Sequence, residues 1–462
     1  MLNKLEQFLF YFLFFAIPFQ TREILYYSGW YFNEWQSISV YATDVLLIIL
    51  FLFWGFSSIR GSKFLISNFK FLIKSRFSIS KTFLEPDFYL VLFLVVAAIS
   101  VKNSSDFFVG AFLWLKLVEF SLFYFYLKNY AIKKFDFIKI LYALIIGGVF
   151  QVVIAIGQFL KQGDLGLRWL GESVLGPHMT GVASFLVPSN VEGFVDSGEK
   201  IIRAYGTTPH SNILAAYLFL GIFAFYFVFL YKRHFHTYIL MCGYALFLVG
   251  LFFTFSRTII FLWAAGFLIR GLLIVAKSRF KRQFWRDTVF KTKLTQILVV
   301  TFLTVVVFSL VYWPEVQSRM TLSSEEEAVQ LRVFYNEESL KGGINLFGIG
   351  LGDFTGWLME QNPNLPRHIY QPVHNVYLLI YSEVGVIGFI LFLLFLAGLL
   401  YEFIKKTRLR ELKHYSFLLV VISVLFIGLF DHFLLTIQQG RFVFWLGLAL
   451  LTIINNRDKV EV

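Results

Sequence analysis

The residues in this sequence with chemistry to offer are arginines and histidines set at the margins of long apolar runs. Arg257, in Phe253-Thr-Phe-Ser-Arg257-Thr-Ile-Ile, falls on the turn between two such runs. A charge at membrane depth is costly unless paired or hydrated, so it normally faces a cavity; the plain alternative is a lipid headgroup phosphate. Arg332, with Arg319 ahead of it, lies in a polar segment rich in glutamate, where a solvated, ion-paired face is the plain alternative. Arg203 opens residues 201–212 (IIRAYGTTPHSN), which also hold His210 and Asn212. Outward-facing arginines against a membrane suit a diphosphate, because a planar guanidinium grips phosphate oxygens with paired hydrogen bonds. His374, in Gln371-Pro-Val-His374-Asn375-Val-Tyr377, stands where an apolar run begins. A histidine can be neutral near pH 7 and accept a proton, as a general base must. Most interfacial histidines do no such work, but this one follows a loop containing Arg332, and Tyr377 and Tyr381 share much of its helix face.

Other signals are weaker. The glycines of Phe347–Asp353 (FGIGLGD) do not join a strand to a helix in a βαβ unit, so they read as a tight turn allowing close backbone approach. Lys116 and Glu119 share a helix face at three-residue spacing and can neutralise each other. Asp431-His432 and Gln438-Gln439-Gly440-Arg441 cluster near one end of the last hairpin, where they could support a site or cap helices. No aspartate pair or histidine cluster has metal-ligand spacing, so neither a metal nor another cofactor is expected.

The elements that must position these residues are membrane helices. The chain is 58% hydrophobic and only 15% charged, with a mean hydropathy of +0.70. A soluble domain carries roughly a quarter charged residues. Apolar runs of about 18 to 25 residues match the length a helix needs to cross hydrocarbon. In lipid the backbone must satisfy its own hydrogen bonds, so such runs are helical. Stretches such as Leu294–Trp313 are apolar on every face, which excludes an alternating β-barrel. The expected fold is therefore all-α: a polytopic transmembrane bundle of about twelve spans, near 5–19, 39–56, 87–101, 107–127, 137–160, 209–230, 237–255, 258–276, 294–313, 373–400, 415–435 and 442–455.

The net charge of +12 does not indicate nucleic acid, because the basic residues concentrate in alternate short loops. Loops 57–86, 128–139, 231–236, 277–293 and 401–414, with both termini, hold 27 of the 41 Lys and Arg residues. By the positive-inside rule these face the cytoplasm, which places both termini there and the chain in the cytoplasmic (inner) membrane. The single cysteine, Cys242, excludes an intrachain disulfide. The first apolar run has no small-residue cleavage site after it and reads as a retained helix. Residues 62–81 and 279–291 read equally well as basic amphipathic helices lying on the membrane or as charged loops that set topology. Within a single membrane domain, 1–462, two outward loops are too long to be connectors: 161–208 and 314–372. In the second, Ser323 and Ser324 before Glu326 and Glu327 have capping-box spacing. A helix is expected from there to about Lys341, ended by Gly342-Gly343. A second short helix over Asp353–Glu360 would help this loop cap the outer mouth of the bundle.

Taken together, these segments resemble the O-antigen ligase and polymerase family of membrane glycan transferases. Arg332 through Gly352 (RVFYNEESLKGGINLFGIGLG) is similar to that family's arginine followed by a glycine-rich turn. His374 through Gly388 (HNVYLLIYSEVGVIG) is similar to its HNxYLxxxxExGxxG helix start, and Arg257 and Arg203–Asn212 match two further arginine motifs. The resemblance implies a metal-independent, inverting, class-C-type glycosyltransferase, with its active site on the extracytoplasmic face. It implies a polyprenyl-diphosphate-linked glycan as donor and a lipid, glycan or protein acceptor. Arg257 and Arg332 would hold the diphosphate and His374 would act on the acceptor hydroxyl. Arg203, His210, Asn212, Arg319, Asn375, Tyr377 and Glu383 would support them. Arg168 and Trp169 in the first outer loop could meet sugar. The competing reading is a transporter or flippase of lipid-linked sugars, which would instead place its ionisable residues at the bilayer midplane.

Overall fold

The computed structural model describes residues 2–29, 31–60, 85–187, 198–231, 237–276, 287–320 and 327–457. The basic segment 62–81, most of 279–291, and the Ser323/Ser324 and Glu326 positions of the expected capping box lie outside them. Each of the twelve expected spans is a helix: α1 (Leu2–Ala16), α2 (Ala42–Arg60), α3 (Pro86–Ser100), α4 (Phe107–Tyr126), α5 (Phe137–Lys161), α6 (Ser211–Tyr231), α7 (Thr237–Phe253), α8 (Arg257–Ala276), α9 (Thr288–Val311), and, after the second long loop, α13 (Val376–Thr407), α14 (Leu412–Ile427) and α15 (Gln438–Arg457). Among the described residues, seven helices are long and apolar enough to cross a membrane, and three more are shorter apolar helices. The loop before α13 contributes α10 (Trp313–Met320), α11 (Glu327–Lys341) and α12 (Phe354–Gln361).

The architecture is mostly helical but not purely so. Two antiparallel hairpins stand at the end of the bundle where the long loops emerge: β1 (Arg22–Tyr27) with β2 (Ser37–Tyr41), and β3 (Ser184–Val187) with β4 (Glu199–Ile202). Hydropathy hid them because each strand is only four to six residues long, with no sustained alternation.

Helix α6 is the axis of the bundle. It is apolar on all sides, as a fully surrounded helix must be, and packs against α5, α7, α8, α9, α14 and α15. Lipid tails are as apolar as the side chains, so close approach through small residues must do much of the binding. The ring of Phe247 on α7 fits between Gly148 of α5 and Gly221 of α6; a Cβ on either glycine would come within 2.4 Å of it.

A second interlock joins the glycine-rich turn to α13. At Gly385 the helix leaves helical geometry, with φ +81° and ψ −178°. The backbone groups freed there pair with the turn: Ile349 N–H donates to the Ser382 carbonyl (2.9 Å), Gly350 N–H to that of Glu383 (3.2 Å), and Val386 N–H to that of Asn345 (3.0 Å). Irregular backbone survives at such depth only when protein satisfies it. Gly348, at φ +76°, lies so close that a Cβ would stand 2.2 Å from the Glu383 carbonyl oxygen.

Candidate functional site

The start of α6, the connection from α14 to α15, and the loop helices α10 and α11 converge on one cavity of about 540 Å³. Its wall includes Arg203, His210, Asn212, Arg319, Arg332, His374, Asp431 and His432. Helix α14 stops at Ile427, well short of the expected 435, so Asp431 and His432 fall in the connection rather than in a span. His210 and His374 likewise stand just before α6 and α13 begin.

His374 is positioned from three sides. Asn375 caps α13 by accepting from the backbone N–H groups of Tyr377 (2.9 Å) and Leu378 (3.2 Å), which fixes where the helix begins. The imidazole stacks on the ring of Tyr335, with centroids 5.2 Å apart and planes 8° from parallel. Tyr335 is itself fixed by donating to the Ile369 carbonyl (2.5 Å) within a small core that includes Phe354, Leu358, Tyr370 and Val373. His432 approaches edge-on, and it also meets Trp35 from the turn of the first hairpin edge-on. Burial pushes the His374 pKa below its ordinary value; Asp431 opposes that shift and Arg332 adds to it.

Asp431 is the hub. Burial alone would raise its pKa, but His432, His374 and His210, with a hydrogen bond from Asn212 Nδ2 (2.8 Å), hold it at about 2. Asn212 Oδ1 in turn accepts from the Arg203 guanidinium and from Ser256 Oγ (3.0 Å). Arg203 also donates from Nε to the Thr254 carbonyl (2.6 Å). Burial, then the neighbouring Arg319, lowers its pKa to about 9. Burial brings His210 to about 4 and His432 to about 3, with Arg203 and His374 as the next causes respectively. All three histidines are therefore neutral near pH 7 and Asp431 is ionised.

Arg332 reaches from α11 across to the same connection, its Nε donating to the Phe430 carbonyl at 3.3 Å, while Nη1 donates to that of Ala328 at 3.1 Å. Arg319 lies over the ring of Phe185 on the second hairpin (5.4 Å). Arg22, from the first hairpin, lines the cavity as an ion pair with Glu34. Four arginines against two carboxylates, Glu34 and Asp431, leave an excess of two positive charges on the wall.

Not every expected residue is there. Arg257 opens α8 next to Ser256 but is not part of the lining. Tyr377 donates to the Leu425 carbonyl (2.8 Å), away from the cavity. Glu383 lines a separate chamber of about 70 Å³, whose walls share Arg22, Glu34 and Trp35 with the large one. Trp169 is almost fully exposed, and neither it nor Arg168 lines the cavity. Asp431 and His432 were visible in sequence only as a polar pair near the end of a hairpin, and nothing local distinguished a site from a cap. Trp35, Tyr335 and Arg22 gave no signal. Among the described residues no group of three or more His, Cys, Asp or Glu is arranged to hold a metal ion.

Residues 242–393, a third of the chain, match the family described as O-antigen ligase. This stretch runs from α7 into α13 and contains Arg257, Arg319, Arg332, His374 and Glu383, whereas Arg203, His210, Asn212, Asp431 and His432 lie outside it. No curated protein matches the chain. Over residues 242–393, from α7 into α13, the chain is similar to the O-antigen ligase family.

Proposed function

We propose that the protein transfers a glycan from a polyprenyl diphosphate carrier to an acceptor hydroxyl within the cavity bounded by Arg332, His374 and Asp431. The observation that carries this reading is the pairing, in one cavity, of surplus guanidinium charge with a buried neutral imidazole. The diphosphate lies against Arg332 and Arg319. Arg257 joins them only after turning from its present contacts, since it stands outside the lining. The α6 N-terminus points its positive dipole end toward the same region, which favours an anion there.

In the reaction the acceptor oxygen attacks the anomeric carbon as the bond from that carbon to the diphosphate oxygen breaks. The bonding pair leaves with polyprenyl diphosphate, whose growing charge the arginines stabilise more strongly in the transition state than in the ground state. The hydroxyl proton passes to His374, and ionised Asp431 stabilises the resulting imidazolium. One displacement inverts the anomeric centre. By charge distribution the cavity faces away from the cytoplasm, in the cytoplasmic membrane, with both termini inside. Lipid, glycan and protein acceptors all fit this chemistry.

The test is direct. Purified protein supplied with polyprenyl-diphosphate glycan and an acceptor should release polyprenyl diphosphate in step with glycan transfer. Transport of the intact lipid-linked sugar without release would reverse the reading in favour of a carrier. Deleting the gene and asking whether surface glycan is lost, shortened or left on its carrier identifies the acceptor.

A further inference from the structure

At the end of the bundle away from the large cavity, one buried cation has no counterpart in the mechanism. Arg270 lies on α8, thirteen residues beyond Arg257, or about 20 Å along the axis at ~1.5 Å per residue. It is 9% exposed, and its Nε and Nη2 have no hydrogen-bond partner among the described residues. The nearest aromatic contact is loose, with the guanidinium carbon 6.0 Å from the Tyr226 ring centroid. Arg270 lines two chambers at once. One is a small pocket of about 50 Å³ against α14, edged by Ser416 and Ser423. The other is a groove of about 660 Å³ between α8 and α9. Among the described residues, neither lining contains a carboxylate.

The groove is walled by Leu268, Leu272, Val275 and Leu298, whose outer surfaces are 66%, 67%, 70% and 47% exposed. It therefore opens sideways to the lipid tails. A guanidinium this deep requires an anion or water. With no acid in either lining, the groove offers the route by which one arrives. An apolar slot ending at a cation complements one kind of molecule in the membrane: a chain-bearing lipid with a negatively charged phosphate.

We propose that the groove between α8 and α9 binds one anionic phospholipid, its phosphate on Arg270 and an acyl chain along Leu268, Leu272 and Leu298. The lipid supplies the charge that the helices lack and closes the gap between α8 and α9. Because the groove is at the opposite end from the catalytic cavity, this proposal and the transfer reaction stand or fall separately.

The test uses the purified full chain, stripped of lipid in an uncharged detergent. Unfolding temperature is followed while phosphatidylglycerol, or phosphatidylcholine with the same chains, is added. Binding to the folded state alone raises that temperature. Phosphatidylglycerol should raise it by a few degrees and phosphatidylcholine should not. Arg270→Gln should erase the difference. Gly271→Phe provides a second variant if Arg270→Gln does not fold. A Cβ at Gly271 meets no heavy atom within 4 Å, so a ring there blocks the groove and leaves the arginine in place. It too should erase the difference. An equal response to both lipids, or a phosphatidylglycerol response that survives in either folded variant, would overturn the proposal. So would a response confined to a polyprenyl phosphate run as a third arm, because the occupant would then not be a phospholipid.

Discussion

The imidazole of His374 meets that of His432 edge-on, with ring centroids 4.8 Å apart and planes at 85°. Two histidines in that arrangement, beside an ionised Asp431, give the cavity a proton acceptor that burial keeps neutral and a carboxylate that can stabilise it once charged. Thr436 Oγ1 holds His432 through Nδ1 at 2.7 Å, so this second ring is positioned rather than poised to react.

Replacing His374 with alanine should lower the transfer rate roughly 100- to 10,000-fold, the usual contribution of a positioned general base. Insertion and thermal unfolding should stay near those of the parent. Near-normal release of polyprenyl diphosphate by a folded His374→Ala protein would remove this residue from the mechanism.

Arg332→Ala should cost about 100- to 1,000-fold in turnover, the scale seen when one preorganised transition-state contact is lost. Arg332→Lys keeps the charge but not the paired geometry and should recover only part of it. Turnover under saturating donor is the quantity to compare. If only the KM for donor rises, Arg332 serves ground-state binding alone.

The pH profile should report the environment of His374. Its pKa is held below the ordinary value of about 6.5, so kcat/KM should fall with acidification along a limb below that value. Asp431 raises the His374 pKa, so Asp431→Asn should move the limb to still lower pH. A limb that moves upward, or not at all, would contradict the assigned coupling.

Acid should also loosen the mouth of the bundle. His210 and His432, at about 4 and about 3 in the fold, take up protons near 6.5 once unfolded. Their folded values are depressed, so the unfolded chain binds more protons across that window and stability falls as pH drops from about 6.5 toward 4. Asp431, at about 2, adds a loss only at still lower pH, between roughly 4 and 2. Unfolding temperature measured across pH 4 to 7 should fall with acid, and less steeply in His432→Gln.

Gly348→Ala should be severely destabilising, by more than about 3 kcal/mol, through strain at positive φ and a backbone collision. A Cβ there would stand 2.2 Å from the Glu383 carbonyl oxygen. Gly243→Ala on α7 is the control: no heavy atom lies within 4 Å of its Cβ, so it should be neutral or slightly stabilising. Comparable unfolding temperatures for the two variants would mean that the interlock at Gly385 does not hold α13 to the turn.

The sequence by itself determined the helices and their approximate ends, because hydrocarbon obliges each run to satisfy its own backbone and leaves little choice of structure. It also offered Arg332 and His374 as candidates, the first in a polar segment between apolar runs and the second where an apolar run begins, although each had an uneventful alternative. It anticipated α11 too, through capping-box spacing and the Gly342-Gly343 stop, and a short helix where α12 stands. What it could not contain was which ends meet. His374, His210 and Asp431 lie far apart in the chain and converge only because α6, α13 and the α14–α15 connection finish at one mouth. Lys116 shows the same limit: spacing offered Glu119, three residues away, while the fold adds Asp44 from another helix as an ion-pair partner. Arg257 shows it in reverse, since its motif was legible but its absence from the cavity wall depends on how α8 is rotated. Hydropathy is a local property of one segment, whereas the facing of one helix toward another is set by side-chain packing across the whole bundle, and only tertiary structure records it.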